Sequence, residues 1–573
     1  MAARAIESRA ADQVPTPGLP PSLLAWLPFL WRRVLFPGAR PADEGPPRRA
    51  ALLWLLLVPA ALLYPCLSFD LFEPDESRYA QIPREMLARG EWVVPYLHGE
   101  PYLDKPPLFY WFVMGCYRVL GVSEGAARLV PALALHLCIL LVYLLGRRYV
   151  GERAAFWGAL ALGLAPGFLS MGRLLILDGL LTLWATLALF AAFEALHGER
   201  LRWSWWLLSA AACGLGVLTK GPVAVLLLVP PLLLQAWLAR DLCRVSRRAV
   251  LAFVGVVTAV VLPWYVAVCL RMPGFARYFL WEHNVLRFVA PFDHQRGVWF
   301  YLPVVLFGLL PATLLLIPFV RFLLSGKEEL ARLRCPELGF LLLSGGWCLL
   351  FFTLSGCKLP TYILPAFPPL ALALGYLLAH GGWRRSRWPA GVAAVTFLLL
   401  LGVHHVLLPW YARYRSPLQR ADVLRQFCGP GASVVCYPRP CNVVAYYLDR
   451  DDLRNYRSKE IEDLRTLVRQ QPRTVILCTH RHALDGLREL LPPEVWIVKT
   501  AHFGLGPIPG VPRALDGRLR HFLGDTALGL SDLAVVEYGG AEEVTTEYTE
   551  HTEKRLKRKK KKEEENKKER GRR

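Results

Sequence analysis

Eleven long apolar runs constrain this 573-residue chain more than any other feature of its sequence. Nearly all of them lack Lys, Arg, Asp and Glu, and a helix needs roughly 20 such residues to cross the hydrocarbon core of a bilayer. They begin near Ala50, Leu129, Ala154, Leu174, Trp203, Gly221, Ala249, Gly297, Leu338, Leu359 and Trp388. We therefore predict an all-α polytopic membrane protein with about 11 transmembrane helices, or about 13 if two weak runs are divided differently.

Basic residues fall on alternate sides of consecutive runs. The main clusters lie at 48–49, 147–153, 200–202, 240–248, 321–334 and 384–387. Because Lys and Arg are enriched in cytoplasmic loops, an internal amino terminus with eleven helices places every one of these clusters in the cytoplasm. The opposite, external side then receives the loop 70–128, the loop 271–296, the turn 355–358 and everything after residue 410.

The chain divides into four predicted regions. Residues 1–49 form a cytoplasmic N-terminal arm, and residues 50–412 form the transmembrane domain. Residues 413–505 are predicted to form a small extracytoplasmic α/β domain, because the strand-like runs 432–436 and 474–478 alternate with the helix-like stretches 461–470 and 484–491. Residues 506–573 end in a Lys/Arg/Glu-rich tail that we expect to be disordered.

The net charge of +21 is explained by the cytoplasmic loops and the basic tail. This distribution disfavours nucleic acid as a partner. A solvated tail is the simplest interpretation, and contact with anionic lipid headgroups is the alternative.

A dense group of charges and aromatics begins the long external loop. Asp75, Glu76, Arg78 and Tyr79 directly follow the first apolar run, and Lys105 lies further along the same loop. Charged groups beside the hydrocarbon must be solvated, paired or bound to a charged ligand. As neighbours in a helix or strand, the side chains of Asp75 and Glu76 would point in different directions. This favours a separate role for each acid over a single site with paired carboxylates. The two cations could bind a phosphate. The alternative is a surface network of ion pairs.

Other polar residues interrupt the apolar runs on the same predicted face. They are Asp178, Lys220, the neighbours Glu282 and His283, and the pair Lys358 and Tyr362. Asp178 could be a helix-end acid exposed to headgroups, and Lys220 could extend its amine to the membrane boundary. A Glu/His pair could bind a divalent ion, although a lone loop histidine is more often a hydrogen-bonding group. No cofactor is predicted with certainty.

The convergence of these residues on one membrane face is the strongest argument from the residues themselves. It predicts a site that accepts an anionic, phosphorylated amphiphile and opens away from the cytoplasm.

Several motifs along residues 50–380 closely resemble those of the aminoarabinose lipid A transferase family, within the protein-mannosyltransferase-like glycosyltransferases of the GT-C fold. The motifs are Asp75-Glu76-Ser77-Arg78-Tyr79, Ile82-Pro83-Arg84-Glu85-Met86, Gly90-Glu91-Trp92-Val93-Val94-Pro95, Lys105-Pro106-Pro107-Leu108, Leu218-Thr219-Lys220-Gly221-Pro222 and Lys358-Leu359-Pro360-Thr361-Tyr362.

The resemblance implies inverting transfer of a sugar, most simply 4-amino-4-deoxy-L-arabinose, from undecaprenyl phosphate to lipid A. The reaction would take place at the periplasmic face of a bacterial inner membrane. By match to the family motifs, the acidic catalytic residues are Asp75, Asp178 and, beside the first, Glu76. The donor phosphate would be held by Arg78 and Lys105, with Tyr79 and Tyr102 lining the site. The donor or acceptor cavity would include Lys220, His283, Lys358 and Tyr362.

Two alternatives remain open at this point. The first is a related enzyme, a protein O-mannosyltransferase-like protein or one that modifies another envelope glycan. The second is a transporter or flippase for a lipid-linked sugar. Transporters usually carry internal repeats and polar residues at the bilayer midplane. This chain shows no repeat, and its charges gather at one membrane boundary, which disfavours transport.

Overall fold

The computed structural model of this protein describes most of the chain. The described residues are 27–28, 30–36, 48–239, 243, 245–290, 294–381, 386–415, 421–429, 431–479, 483–502, 512, 515–516, 519 and 532–539. The predicted disordered tail and most of the predicted N-terminal arm lie outside these residues.

Each of the eleven apolar runs coincides with a helix or with a pair of helices joined at a bend. The helices of this part of the chain are α1 Arg48–Leu63, α2 Asp75–Arg89, α3 Leu108–Leu120, α4 Glu124–Val150, α5 Glu152–Gly163, α6 Pro166–Arg173, α7 Asp178–Leu196, α8 Trp203–Lys220, α9 Val223–Ala239, α10 Arg247–Arg271, α11 Arg287–Val289, α12 Tyr301–Gly308, α13 Leu316–Leu324, α14 Glu328–Ala331, α15 Pro336–Leu354, α16 Phe367–His380, α17 Trp388–Gly402 and α18 Leu408–Arg415. A π-helix, Arg277–Leu286, precedes α11, and a 3₁₀ segment, Pro360–Ala366, leads into α16.

Six helical segments in the described residues are long and apolar enough to cross a membrane, and the number rises to eight if each bent pair is one span. The bends are 58° between α5 and α6 and 104° between the segments Val298–Gly308 and Ala312–Leu324. Pro166 and Pro311 lie at these breaks, where a missing backbone N–H favours interruption of a helix. α1, α8 and α9 are too short or not apolar enough to be counted among these six segments.

The loop 70–128, which the sequence predicts to be external, is ordered. It contains α2, a hairpin of β1 Tyr96–Leu97 and β2 Glu100–Pro101, and α3. α2 begins at Asp75, and the acids of its first turn lie at the positive end of the helix dipole, which they stabilise. Gly90 ends α2 in the left-handed conformation (φ 65°). α3 buries one face, which includes the rings of Phe109, Tyr110 and Tyr117.

The C-terminal part of the described chain builds a five-stranded sheet in the order β4-β3-β5-β7-β6. Its elements are α19 Ala421–Phe427, β3 Ser433–Tyr437, α20 Asn442–Leu448, β4 Arg454–Asn455, α21 Ile461–Gln470, β5 Arg473–Cys478, α22 Ala483–Leu490, β6 Val495–His502 and β7 Asp532–Tyr538. The two predicted strands and two predicted helices are present within a residue or so of their expected bounds. The predicted boundary at residue 505 is too early, because β7 pairs with both β5 and β6.

The external loop packs directly against this C-terminal unit. Arg84 donates to the carbonyl oxygen of Tyr446 at 2.8 Å, and Gln81 donates to that of Arg450 at 2.9 Å. The Glu73 carboxylate accepts a hydrogen bond from the backbone N–H of Val443. α2 is therefore held between the membrane helices and the sheet.

The folded state is expected to lose stability as the pH rises, because the Glu73 carboxyl is buried. Burial raises the pKa of the Glu73 carboxyl to about 7, although the hydrogen bond from Val443 partly opposes the shift. A raised folded-state pKa gives stability that is complete below the ordinary value near 4.5 and is lost as the pH rises through about 7. Between pH 5.5 and 8.5, the melting temperature of Glu73→Gln should therefore gain roughly 2 °C relative to that of the wild-type protein. A difference that stays constant across this pH range would contradict the assignment.

Candidate active site

A cavity of about 350 Å³ lies where the ends of α8 and α9 meet the segment 280–289, the end of α15 and the 3₁₀ segment. Three cationic side chains, Lys105, Lys220 and Arg287, line it. The rest of the wall is largely apolar or aromatic and includes Phe288, Phe351, Phe352 and Tyr362. An anionic head joined to a hydrocarbon chain matches this combination of charge and apolar surface.

Asp178 and Lys220 form one side of the site. The Lys220 Nζ lies 2.6 Å from the Asp178 Oδ1, and the two side chains are only 13% and 8% exposed. The same ammonium lies 4.3 Å from the centre of the Tyr362 ring. Asp178 occupies the first turn of α7, where the helix dipole favours a negative charge. This buried pair contradicts the alternatives of an acid exposed to headgroups and a lysine extended to the membrane boundary.

Lys105 approaches the cavity from the external loop. Its Nζ is 2.8 Å from the Nε2 of His283, whose Nδ1 lies 3.8 Å from the Oδ1 of Asp104. Burial lowers the pKa of Lys105 to about 7, and the positive charges of Lys220 and Arg287 act in the same direction, against the attraction of Asp104. An amine poised in this way gains from binding an anion, because a negative ligand favours its charged form.

A second group of predicted residues lies around Arg78. Arg78 donates to the Tyr102 hydroxyl at 3.3 Å and lies 3.5 Å from the Asp75 carboxylate. The Asp75 side chain is 47% exposed, so it remains open to a ligand. Burial raises the pKa of Tyr79, and the negative charges of Asp75 and Asp178 add to this effect.

Glu76 does not have the surroundings of a catalytic acid. Its oxygens accept two hydrogen bonds from Arg128, at 2.8 and 2.9 Å, and others from the backbone N–H groups of Phe72 and Leu175, at 3.0 and 2.7 Å. It is 3% exposed, and Arg128 is completely buried. Because its oxygens are occupied by protein donors, the structure assigns Glu76 to holding the loop in place.

Lys358 also differs from the prediction. Its Nζ donates to the carbonyl oxygens of Arg296, at 3.2 Å, and Ser355, and the residue is 4% exposed. It is absent from the cavity lining, whereas the nearby Tyr362 and Cys357 belong to it. Lys358 therefore links two backbone segments, at Arg296 and at Ser355, through hydrogen bonds.

No group of three or more His, Cys, Asp or Glu side chains that could hold a metal ion occurs within the described residues. Glu282 and His283, the suggested pair of ligands, contact different partners. Glu282 lies 3.5 Å from Arg277 on the surface, and His283 faces Lys105.

Two residues in the site were not assigned a role from the sequence. Asp104 precedes Lys105 and contacts His283, and Arg287 follows His283 by about one helical turn. The spacing of Arg287 from His283 is the signal that could have identified it, because residues four apart share a helix face.

The helical core and its cavity define a polytopic membrane protein with a cation-lined cavity at the ends of its helices. The sequence model of the dolichyl-phosphate-mannose-protein mannosyltransferase family matches residues 50–279. An undecaprenyl phosphate-alpha-4-amino-4-deoxy-L-arabinose arabinosyl transferase of Pseudomonas savastanoi is 37% identical over 374 residues, covering 63% of this chain and 68% of the relative. The chain belongs to this arabinosyl transferase family.

A second relative of that name, from Pseudomonas fluorescens, is 38% identical over 340 residues. The chain spans 55% of its length. The crystal structure of ArnT from Cupriavidus metallidurans bound to undecaprenyl phosphate superposes with a TM-score of 0.65 at 22% identity, covering 79% of this chain and 96% of that one. The apo structure of the same protein gives a TM-score of 0.64. The fold of this chain is therefore that of ArnT.

Proposed function

We propose that this protein is an inverting glycosyltransferase that moves 4-amino-4-deoxy-L-arabinose from undecaprenyl phosphate to lipid A. The observation that carries the proposal is the cavity in which Lys105, Lys220 and Arg287 converge beside an aromatic wall. A polyprenyl phosphate combines a phosphate with a long apolar chain, and each part has a matching surface there. The names of the relatives supply the sugar and the carrier lipid.

The reaction exchanges one C–O bond for another. An acceptor oxygen attacks the anomeric carbon of the donor sugar from the face opposite the phosphate, and the bond between that carbon and the phosphate oxygen breaks. The departing polyprenyl phosphate then carries one more negative charge. Fixed cations stabilise this charge as it develops, which is the largest contribution expected from the protein. In this proposal Lys105 and Lys220, which line the cavity, have this role.

The carboxylates have separate tasks in this proposal. Asp75, which is partly exposed beside Arg78, would remove a proton from an acceptor hydroxyl or orient an acceptor phosphate that is already ionised. Asp178 is buried against Lys220 and would hold that ammonium in position over Tyr362.

The proposal includes a location and a topology. Eleven spans with an internal amino terminus would place α2, α3 and the C-terminal sheet in the periplasm of a bacterial inner membrane. The alternation of basic clusters supports this orientation. An external labelling scan would test it, and labelling of residues 70–128 only from the cytoplasm would overturn it.

Asp75→Asn is expected to lower kcat at least about 100-fold, because removing a general base usually costs at least that factor. The affinity for undecaprenyl phosphate should change little. Glu329→Gln, which neutralises an exposed acid of the short helix α14 outside the cavity lining, is the matched control and should retain full activity. Turnover would be measured by mass spectrometry of lipid A after incubation with the amino-sugar donor. A folded Asp75→Asn protein with normal turnover would refute the catalytic assignment.

The match of residues 50–279 to the mannosyltransferase model favours one competing activity, transfer of mannose to protein hydroxyls. The same incubation distinguishes the two when a mannose donor and a protein acceptor are run in parallel. Mannosylated protein without modified lipid A would replace our substrate assignment. Movement of the donor lipid across vesicles, with no transfer to either acceptor, would instead indicate a transporter.

A further inference from the structure

A group of arginines lies at the far ends of the helices that carry the candidate active site. α7 begins at Asp178, which pairs with Lys220 of the cavity lining, and reaches Glu194 near its other end. α8 begins at Trp203 and ends at Lys220. At 1.5 Å per residue, Asp178 and Glu194 are separated by roughly 24 Å along the helix. This length approaches the thickness of a bilayer core, so Glu194 lies near the opposite membrane boundary.

Glu194 joins two arginines at this boundary. Its Oε1 lies 2.8 Å from the Nη2 of Arg148 and accepts a hydrogen bond from the Nη1 of Arg202. Glu194 is 4% exposed, whereas the side chains of Arg148 and Arg202 are 43% and 48% exposed. The buried carboxylate therefore fixes one side of each guanidinium. Because a guanidinium has five N–H donors, its exposed part can also donate to a ligand at the surface.

Aromatic and apolar side chains continue from these arginines along the membrane surface of α8. The guanidinium carbon of Arg148 lies 5.3 Å from the centre of the Trp205 ring, within the range of a cation–π contact. Trp203, Leu207 and Leu208, in the first two turns of α8, are exposed. Tryptophan is enriched where a membrane meets water, and exposed leucines on a spanning helix contact hydrocarbon. An acyl chain can therefore lie along α8 beneath a headgroup held by the arginines.

α10 brings two further cations to the same boundary. The Nε1 of Trp206 donates to the carbonyl oxygen of Ala249 at 2.8 Å, so the first turns of α8 and α10 lie side by side. α10 begins with Arg247 and Arg248, which are both exposed, and neither helix has an acid in its first turn. Cations at the positive end of a helix dipole are unfavourable, and a bound anion would offset this cost.

The charges at this boundary favour an anionic ligand. We call Arg148, Arg202, Arg247 and Arg248 the arginine cluster. Its four guanidiniums face one buried carboxylate, that of Glu194, which leaves a net charge of +3 on this group of side chains. Two other acids nearby have basic neighbours, since Glu199 precedes Arg200 and Glu152 lies 3.4 Å from Arg147. Arginine is well suited to bind phosphate oxygens through several N–H donors at once.

We propose that the arginine cluster binds the phosphate of an anionic phospholipid, in the membrane leaflet opposite the cation-lined cavity. A basic cluster that only orients the protein in the membrane needs charge but no fixed geometry. Here Glu194 and Trp205 hold the guanidiniums in place above an exposed apolar helix face. The lipid would join α4, α8 and α10 at one end and so stabilise the helices whose other ends carry the candidate active site, without contacting the substrate.

Native mass spectrometry of the full-length protein, titrated with phosphatidylglycerol in detergent, tests the proposal. Arg247→Gln with Arg248→Gln leaves the ion pairs of Glu194 intact. This variant should raise the Kd for phosphatidylglycerol at least about tenfold, because each basic residue near an anionic lipid contributes roughly a fivefold gain in affinity. Arg321→Gln with Arg332→Gln removes two exposed arginines elsewhere in the helical part of the chain and should leave the Kd within about twofold of the wild-type value.

A second variant removes the arginines that contact Glu194. Arg148→Gln and Arg202→Gln are combined with Glu194→Gln, so that no buried carboxylate loses its partners. We expect the Kd for phosphatidylglycerol to rise at least about fivefold. Phosphatidylcholine with the same acyl chains should bind the wild-type protein at least about tenfold more weakly than phosphatidylglycerol, because its headgroup has no net charge.

Unchanged affinity for phosphatidylglycerol in both folded cluster variants would overturn the proposal, and so would equal binding of phosphatidylcholine. Displacement of the lipid by an equal concentration of inorganic phosphate would indicate a site for soluble anions and would also overturn it. The Kd for undecaprenyl phosphate, measured in parallel, should stay within about twofold in every variant. An equal loss for that lipid would contradict a separate site, whereas its failure to bind even the wild-type protein would count against the proposed function alone.

Discussion

Replacing Lys105 with methionine is expected to lower kcat/KM at least about 100-fold. The side chain keeps most of its length and apolar surface, so the main loss is the charge beside the leaving phosphate. Removal of one preorganised group that stabilises developing negative charge commonly costs 10²- to 10³-fold, as an order-of-magnitude estimate. Lys327→Met, on an exposed loop far from the cavity, is the control and should leave the rate unchanged.

The same residue should make donor binding depend on pH. The pKa of Lys105 is lowered to about 7, so its ammonium is largely present at pH 6 and largely lost at pH 8.5. A donor phosphodiester keeps a constant charge across this range. Its Kd should therefore rise with pH, by at most about tenfold per unit, and Lys105→Arg should remove the slope. Equal slopes in the wild-type and Lys105→Arg proteins would show that another group titrates.

Arg128→Met is expected to destabilise the folded protein by roughly 3–5 kcal/mol, the range typical of breaking a buried ion pair. The guanidinium donates to both oxygens of Glu76 and to the carbonyl oxygens of Leu67, Phe69 and Asp70. The substitution leaves a buried carboxylate and three carbonyls without these donors. Thermal unfolding in detergent, followed by loss of monodisperse protein, measures the effect.

Two comparisons make this prediction specific. Adding Glu76→Gln to Arg128→Met should recover part of the lost stability, because the unpaired negative charge is removed. Arg332→Met breaks an exposed pair with Glu328 and should cost less than about 1 kcal/mol. If Arg128→Met unfolds at the same temperature as Arg332→Met, the buried pair does not hold the loop in place.

The membrane helices and much of the small sheet could be predicted from the sequence because their signals are local. An uncharged run of sufficient length forms a helix wherever it lies. The strands β3 and β5 follow from short β-branched runs between helical stretches. β7 was not predicted, because it is defined by pairing with strands that lie 30 or more residues away in sequence. A local sequence pattern does not reveal such distant partners.

The same distinction between local signals and distant contacts applies to the residues of the site. Lys105, Lys220 and Tyr362 were predicted and line one cavity, since their motifs lie at the ends of helices. Asp75 and Glu76 look equivalent as neighbours in sequence. They differ only because Arg128, which lies 52 residues after Glu76, takes up one carboxylate and leaves the other exposed. A contact of that span follows from tertiary packing and not from local spacing.

The packing of α2 against α20 and the segment that follows it has a consequence for the order of biosynthesis. Gln81 and Glu73 contact residues 369 and 370 positions further along the chain. At about 5–20 residues per second, ribosomes need roughly 20–70 s to make that interval. Throughout this time, the helix that carries Asp75 has been synthesised and its covering partner has not. The newly made protein therefore completes the packing around α2 only after residues 443–450 have been made, when its membrane helices have already been synthesised.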